Sequence, residues 1–281
     1  MRRDRLGPPI DVRPLFPVER SHLLDLLSGL DPDQWDLTTC CPGWRVRDVV
    51  AHLAHDYLRR LSGHRDRHPG HPTTPGEDLP GYLARVNQDA VDAARELSPR
   101  VLVDLLATFG PQLDTLWALC DLRATGHISV WWADPEAPAP VWLDIGREYT
   151  EFWVHQQHIR DAVGLPGANE PELLNPVIDI FLRALPHTLA GTAAPAGTNV
   201  AVDVGTPVSR CWVVSRGPDG WTLDPLAPHD VKIDARVSTS AHTLWRLAAG
   251  LVTPATARAH VRLEGDPHLA AQVLEITSII R

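Results

Sequence analysis

The residues best placed to do chemistry are Glu148, Glu151 and His155, in the stretch REYTEFWVHQQHIRDAVG from Arg147 to Gly164. On a helix turning about 100° per residue, Tyr149, Phe152, Ile159, Ala162 and Val163 share one arc. That pattern predicts a helix with a buried stripe. Glu148, Glu151 and His155 fall inside the arc or on its edge, where an ordinary amphipathic helix carries Leu or Val. Buried carboxylates and imidazoles are costly unless they are paired or ligate a metal. Glu151 and His155 stand one turn apart, so their side chains can converge on one point. The helix therefore reads as half of a metal site. A catalytic zinc takes two or three histidines, often with one carboxylate, and keeps a position open. His52, His55, His127 and His158 are the candidates for the remaining ligand.

Other elements must position this half-site. Apolar spacing predicts a first helix over residues 16–30 and a second over 46–61. On the second, Val46, Val49, Val50, Leu53, Tyr57 and Leu61 form one face; His52 and His55 flank it, which the helical wheel reads as half-exposed. Residues 62–81 are rich in Pro, Gly and His without a period, so His64, His68 and His71 read as a solvated loop lacking fixed geometry. A third helix is expected over 83–97, and 99–120 reads as one or two further helical turns. Trp131, Trp132 and Trp142 flank a Pro-rich connection, where lining a pocket and packing over the helices both stay open. Four helices with one long crossover make a bundle the natural architecture.

After Pro166 the pattern changes. A linking helix over 173–189 precedes alternating segments NVAVDV, RCWVVSR, GWTLDP and VKIDARVS, with Gly217-Pro218-Asp219-Gly220 as a hairpin turn. A helix over 240–249, a strand ARAHVRLEG and a terminal helix over 267–280 follow. The fold class is α+β in two domains: a helical bundle over 1–165 and a small α+β domain over 166–281.

Composition narrows the function. With 44% apolar and 22% charged residues the chain is globular, and a net charge of −9 without a basic patch argues against nucleic acid or an anionic membrane as partner. No apolar run is long enough to span a bilayer. The basic N-terminus MRRDRLGPPI lacks the apolar stretch of a signal peptide. Cys40, Cys41, Cys120 and Cys211 imply no disulfide framework, and the adjacent pair lacks the spacing of a metal ribbon. A reducing cytoplasm is the expected location.

The segment from Cys41 to Leu53, C-P-G-W-x-V-R-D-V-V-A-H-L, resembles the start of the second helix in the mycothiol-dependent maleylpyruvate isomerase family. The likeness resumes over Glu151–Gly164, as E-x-x-x-H-x-Q-x-I-R-D-A-x-G, and again in TLWRLAAG and VRLEGDPHLAAQVL. The resemblance implies a DinB-like metal-binding four-helix bundle followed by a sterol-carrier-like α+β domain. It implies His52, Glu151 and His155 as ligands of a divalent metal, zinc by expectation, with mycothiol as thiol cosubstrate. His55 lies outside the family pattern, and His158 stands where the family often has an acidic residue.

A metal with an open position lowers the pKa of a bound thiol and makes a nucleophile at neutral pH. Two outcomes follow. The thiolate attacks a small electrophile and stays on it, a thiol S-transferase reaction serving detoxification or natural-product assembly. Alternatively it adds to maleylpyruvate, the adduct rotates, and elimination gives the isomer. The second needs cations for two carboxylates, for which Arg246, Arg258 and Arg262 are candidates. Glu148 is the candidate proton carrier or outer acceptor. A metal hydrolase and a non-catalytic metal-binding protein are the readings from other classes.

Overall fold

In the computed structural model the described residues are 5–224 and 231–278. Residues 1–4 of the basic N-terminus, Pro225 of GWTLDP and the last two residues of the expected terminal helix lie outside them. The chain divides into two compact units. One comprises Val12–Cys120 and Tyr149–Ala168; the other comprises Met1–Asp11, Asp121–Glu148 and Asn169–Arg281. This division differs from a single cut near residue 165, because segment 121–148 packs with the C-terminal part. Within that unit Trp132 and Trp142 are buried, Arg183 stacks on Trp142, and a Cβ at Gly146 would collide with Ile180. Packing, and not pocket lining, is the role of those two tryptophans.

The helical unit is built on α1 (Phe16–Ser28), α2 (Val46–Arg60), α3 (Leu79–Ala94), α4 (Pro99–Ala118) and the larger part of α5 (Val141–Ala162). The expected apolar face of α2 is its core face: Val46, Val49, Val50, Leu53 and Tyr57 are all buried. Phe16 of α1 meets Tyr149 and Phe152 of α5 edge-on, and Tyr57 of α2 tilts against Phe152. The pairing of α5 with α1 and α2 is thus set by aromatic contacts. Helix α4 is a single 20-residue helix, longer than expected, and Pro111 sits inside it. Gly110 lets Arg20 of α1 cross close by, since a Cβ there would meet the guanidinium, and Arg20 forms a two-pronged ion pair with Asp114 one turn on.

The other unit carries helices α6 (Pro171–Leu182) and α7 (Leu185–Thr188) and a five-stranded sheet in the order β3-β2-β1-β4-β5. The strands are β1 (Asn199–Val204), β2 (Arg210–Gly217), β3 (Gly220–Asp224), β4 (Ala235–Thr239) and β5 (Arg262–Gly265). β1 pairs parallel with β4, and the other neighbours are antiparallel. Gly217 pairs with Gly220, so Pro218-Asp219 is the expected two-residue hairpin loop, and Gly220 takes φ +136°. The linking helix divides at Arg183, and VKIDARVS is a strand only from Ala235. In ARAHVRLEG the strand is confined to Arg262–Gly265 because Thr253 caps a short helix, α9 (Pro254–Arg258), by accepting from the Thr256 amide. Helix α8 (Ala241–Ala248) lies where expected, while α10 (Pro267–Val273) is shorter than expected.

Candidate metal centre

The loop before α2 is tied at both ends. Thr39 donates its amide to the Trp44 carbonyl, Trp44 returns one to Cys41, and the Thr39 hydroxyl accepts from the Cys41 amide. Gly43, at φ +79°, makes the bend that places Trp44 against α2. The Asp48 carboxylate then accepts from the Arg45 amide and caps the helix start. His52 therefore enters the bundle between Trp44, 5.1 Å away ring to ring, and α5. It is 2% exposed, not half-exposed as the wheel reads it, because the Trp44 loop covers the flank that the wheel leaves open.

From α5, Glu151 and His155 meet it. His52 Nε2 and His155 Nε2 both stand 3.1 Å from one oxygen, Glu151 Oε1, and the two rings are edge-on at 4.7 Å. Donor atoms of the three residues lie within 4.8 Å of one another. The Glu151 side chain keeps 33% of its surface exposed, against 3% for His52, so the cluster has one open side. Ligands held about 2.1 Å from a tetrahedral ion stand about 3.4 Å apart. The donor set and its spacing therefore fit a divalent cation, which would replace the two N–H protons now shared by one carboxylate oxygen.

The electrostatics suit that exchange. Burial works to raise the Glu151 carboxyl, but the charges and hydrogen bonds of His155 and His52 hold it well below the usual range. Burial pushes His155 down, toward the neutral ring a metal needs. Burial also works against charge on His52, where the Glu151 hydrogen bond and the charge of Asp56 prevail and raise it. Asp56 Oδ2 stands 4.0 Å from His52 Nε2, one turn along α2.

A neighbouring group escaped the sequence reading. Cys41 Sγ lies 3.2 Å from His158 Nδ1, which in turn lies 3.3 Å from His155 Nδ1. Cys40, Cys41 and His158 also place their donor atoms within 4.8 Å of one another. The sequence signal was the Cys-Cys pair just before the ligand-bearing helix. Spacing rules passed over it because its partner is 117 residues away.

The remaining candidates differ in burial and in the unit that carries them. His55 is half-buried on α2, while His64, His68, His71 and His127 are exposed. Glu148 is buried one turn before Glu151 on the same helix, in the part of α5 that belongs to the other unit, with Arg147 Nη2 3.5 Å away. Arg262 stands on edge strand β5, 76% exposed, in an ion pair of 2.6 Å with Glu264.

The helical unit presents an open two-histidine, one-carboxylate cluster, and the chain continues into a small sheet-bearing unit. Residues 16–160 match the mycothiol maleylpyruvate isomerase N-terminal domain, and the chain belongs to that enzyme family. Two solved structures share the fold: the mycothiol-dependent maleylpyruvate isomerase (17% identity, TM-score 0.54) and its H52A mutant (16%, TM-score 0.53). Each match covers 90% of this chain and 91% of the other. No curated protein matches. Among the described residues, no helix is long and apolar enough to cross a membrane.

Proposed function

We propose that the protein is a metal- and mycothiol-dependent thiol S-transferase acting on a small electrophile in a reducing, cytoplasmic setting. One observation carries the reading: two imidazole nitrogens converge at 3.1 Å on the same oxygen of a carboxylate with an open side. His52, Glu151 and His155 would hold the cation, expected to be zinc. Such a cation, when bound, supplies the Lewis acidity that turns a thiol into a thiolate at neutral pH.

The chain's own residues supply the rest. Burial of His52 under Trp44 keeps water from one side of the ligand set. The His158 ring packs edge-on against His155 at 5.1 Å and holds the second imidazole in place. Glu148 is the proposed proton carrier. Arg262, proposed to meet a substrate anion, already has Glu264 as partner, and this favours a neutral electrophile over a dicarboxylate. The family match favours a second reading, maleylpyruvate isomerisation through reversible thiol addition.

Incubation of metal-loaded protein with mycothiol and either maleylpyruvate or neutral electrophiles separates the two. Stable thioether products from the neutral compounds are expected. Formation of fumarylpyruvate with mycothiol returned unchanged would move the assignment to the isomerase. Mycothiol-independent hydrolysis, or no metal-dependent activity with any of them, would overturn both.

A further inference from the structure

The Cys40, Cys41 and His158 group is a second constellation of ligands that the proposed reaction does not use. Two sulfurs and one ring nitrogen, drawn from a pinned loop and from α5, lie within 4.8 Å of one another. Neither Cys40 nor Cys41 is in a disulfide, and Cys40 is exposed, so a cation can reach the sulfurs from solvent. Zinc–sulfur bonds of about 2.3 Å and zinc–nitrogen bonds of about 2.0 Å set tetrahedral edges of about 3.5–3.8 Å. The Cys41–His158 separation of 3.2 Å is already near that edge.

The loop needs little rearrangement. Its amide and hydroxyl hydrogen bonds hold Thr39, Cys41 and Trp44 without using either thiol as a backbone partner. His158 is itself 5% exposed, and its Nε2 is buried without a hydrogen-bond partner. The Nδ1 edge is therefore the working side of the ring. There it faces Cys41 Sγ on one hand and His155 Nδ1 on the other, so the two constellations adjoin at this residue.

We infer that Cys40, Cys41 and His158 form a second metal site, selective for a thiophilic divalent cation and distinct from the His52–Glu151–His155 cluster. On binding, both S–H bonds break, two metal–sulfur bonds form, the His158 Nδ1 lone pair makes a third, and two protons pass to solvent. Solvent supplies the remaining position. Two thiolates neutralise the charge of the cation, and their softness selects zinc, cadmium or cobalt over magnesium or calcium.

The test is metal titration of the full-length, chelator-stripped protein with Co²⁺ and Zn²⁺, read by equilibrium dialysis and near-ultraviolet absorption. In the absence of added thiol, wild type should bind two equivalents and show a sulfur-to-cobalt charge-transfer band. His52→Ala should keep one equivalent and the band. Cys40→Ser/Cys41→Ser should keep one equivalent and lose it. His158→Asn should weaken the sulfur-bound equivalent by at least about 10-fold, the scale of a lost metal contact. A wild-type protein that binds one equivalent without the band, or a band that survives the double serine substitution, would overturn the second site. Loss of binding in His52→Ala with the band intact elsewhere tests only the first cluster, so the two assignments fail separately.

Discussion

Two buried polar clusters, one in each unit, are built on opposite plans. In the sheet-bearing unit, Arg183 is wholly buried, yet its donors are served. Asp179 Oδ1 accepts from Nε at 3.1 Å and from Nη2 at 2.7 Å, the Leu6 and Pro8 carbonyls accept from Nη1, and Trp142 lies under the guanidinium. In the helical unit, two imidazoles share one carboxylate oxygen, and His52 Nδ1 is buried with no partner. The first cluster is closed, with the geometry of a structural ion pair. The second is open on one side, where the Glu151 side chain keeps 33% of its surface exposed. Basic nitrogens converging on one open carboxylate have the donor types and spacing of a metal-ligand set.

Breaking the closed cluster should cost most. Arg183→Ala leaves Asp179 buried against Arg210 alone, 3.5 Å away, and should destabilise the fold by about 3–5 kcal/mol. Chemical denaturation measures this, and a change below 1 kcal/mol would erase the contrast. His52→Ala should do the reverse. Metal affinity at the His52–Glu151–His155 cluster should fall by more than about 100-fold, since loss of even an outer partner costs 10–100-fold. The metal-free protein should keep its stability within about 1 kcal/mol, because an unsatisfied ring leaves with the substitution.

Glu19 offers an intermediate case. Burial raises its carboxyl to about 8, against the opposing charge of Arg20 and the hydrogen bond from Gln156. The folded state thus holds a proton that the unfolded chain releases above pH 4.5. Stability should fall as pH rises from about 4.5 to about 8 and level off beyond. Glu19→Gln should flatten that slope and stabilise the protein at pH 8 by on the order of 2 kcal/mol, at about 1.4 kcal/mol per pH unit with allowance for relaxation. An unchanged slope in the denaturation series would show that the carboxyl is ionised in the fold. The smallest effect is expected at the joint between the two donor groups. In the Cys40→Ser/Cys41→Ser background, His158→Ala should weaken metal at the His52–Glu151–His155 cluster by roughly 10-fold through the freed His155 ring. Isothermal titration reads it, and an unaltered affinity would remove His158 from the support of the site.

The same contrast explains what the sequence disclosed. Glu151 and His155 were legible twice, as polar intrusions in an apolar arc and as part of a family motif. His52 was legible by motif alone, since a helical wheel sees one helix and the covering Trp44 comes from a loop. The bundle, the hairpin at residues 217–220 and the α+β character of the second part follow from local periodicity and turn chemistry. Other features depend on distant partners. The division of the chain rests on Trp142 and Gly146 packing within a unit assembled from three segments. Helix α4 runs through Pro111, and the Arg20–Asp114 pair beside it joins residues 94 positions apart. The Cys40–Cys41–His158 group spans more than a hundred residues and leaves no spacing signature.

The central claim is that the open cluster holds a cation that activates an incoming thiol. Its most direct test uses the Cys40→Ser/Cys41→Ser protein, loaded with cobalt and free of its own nearby thiols, to which mycothiol is added near neutral pH. A sulfur-to-cobalt charge-transfer band should then appear, saturate with mycothiol and vanish in the added His52→Ala variant. Cobalt bound at His52, Glu151 and His155 with no change in its spectrum at saturating mycothiol would contradict the account.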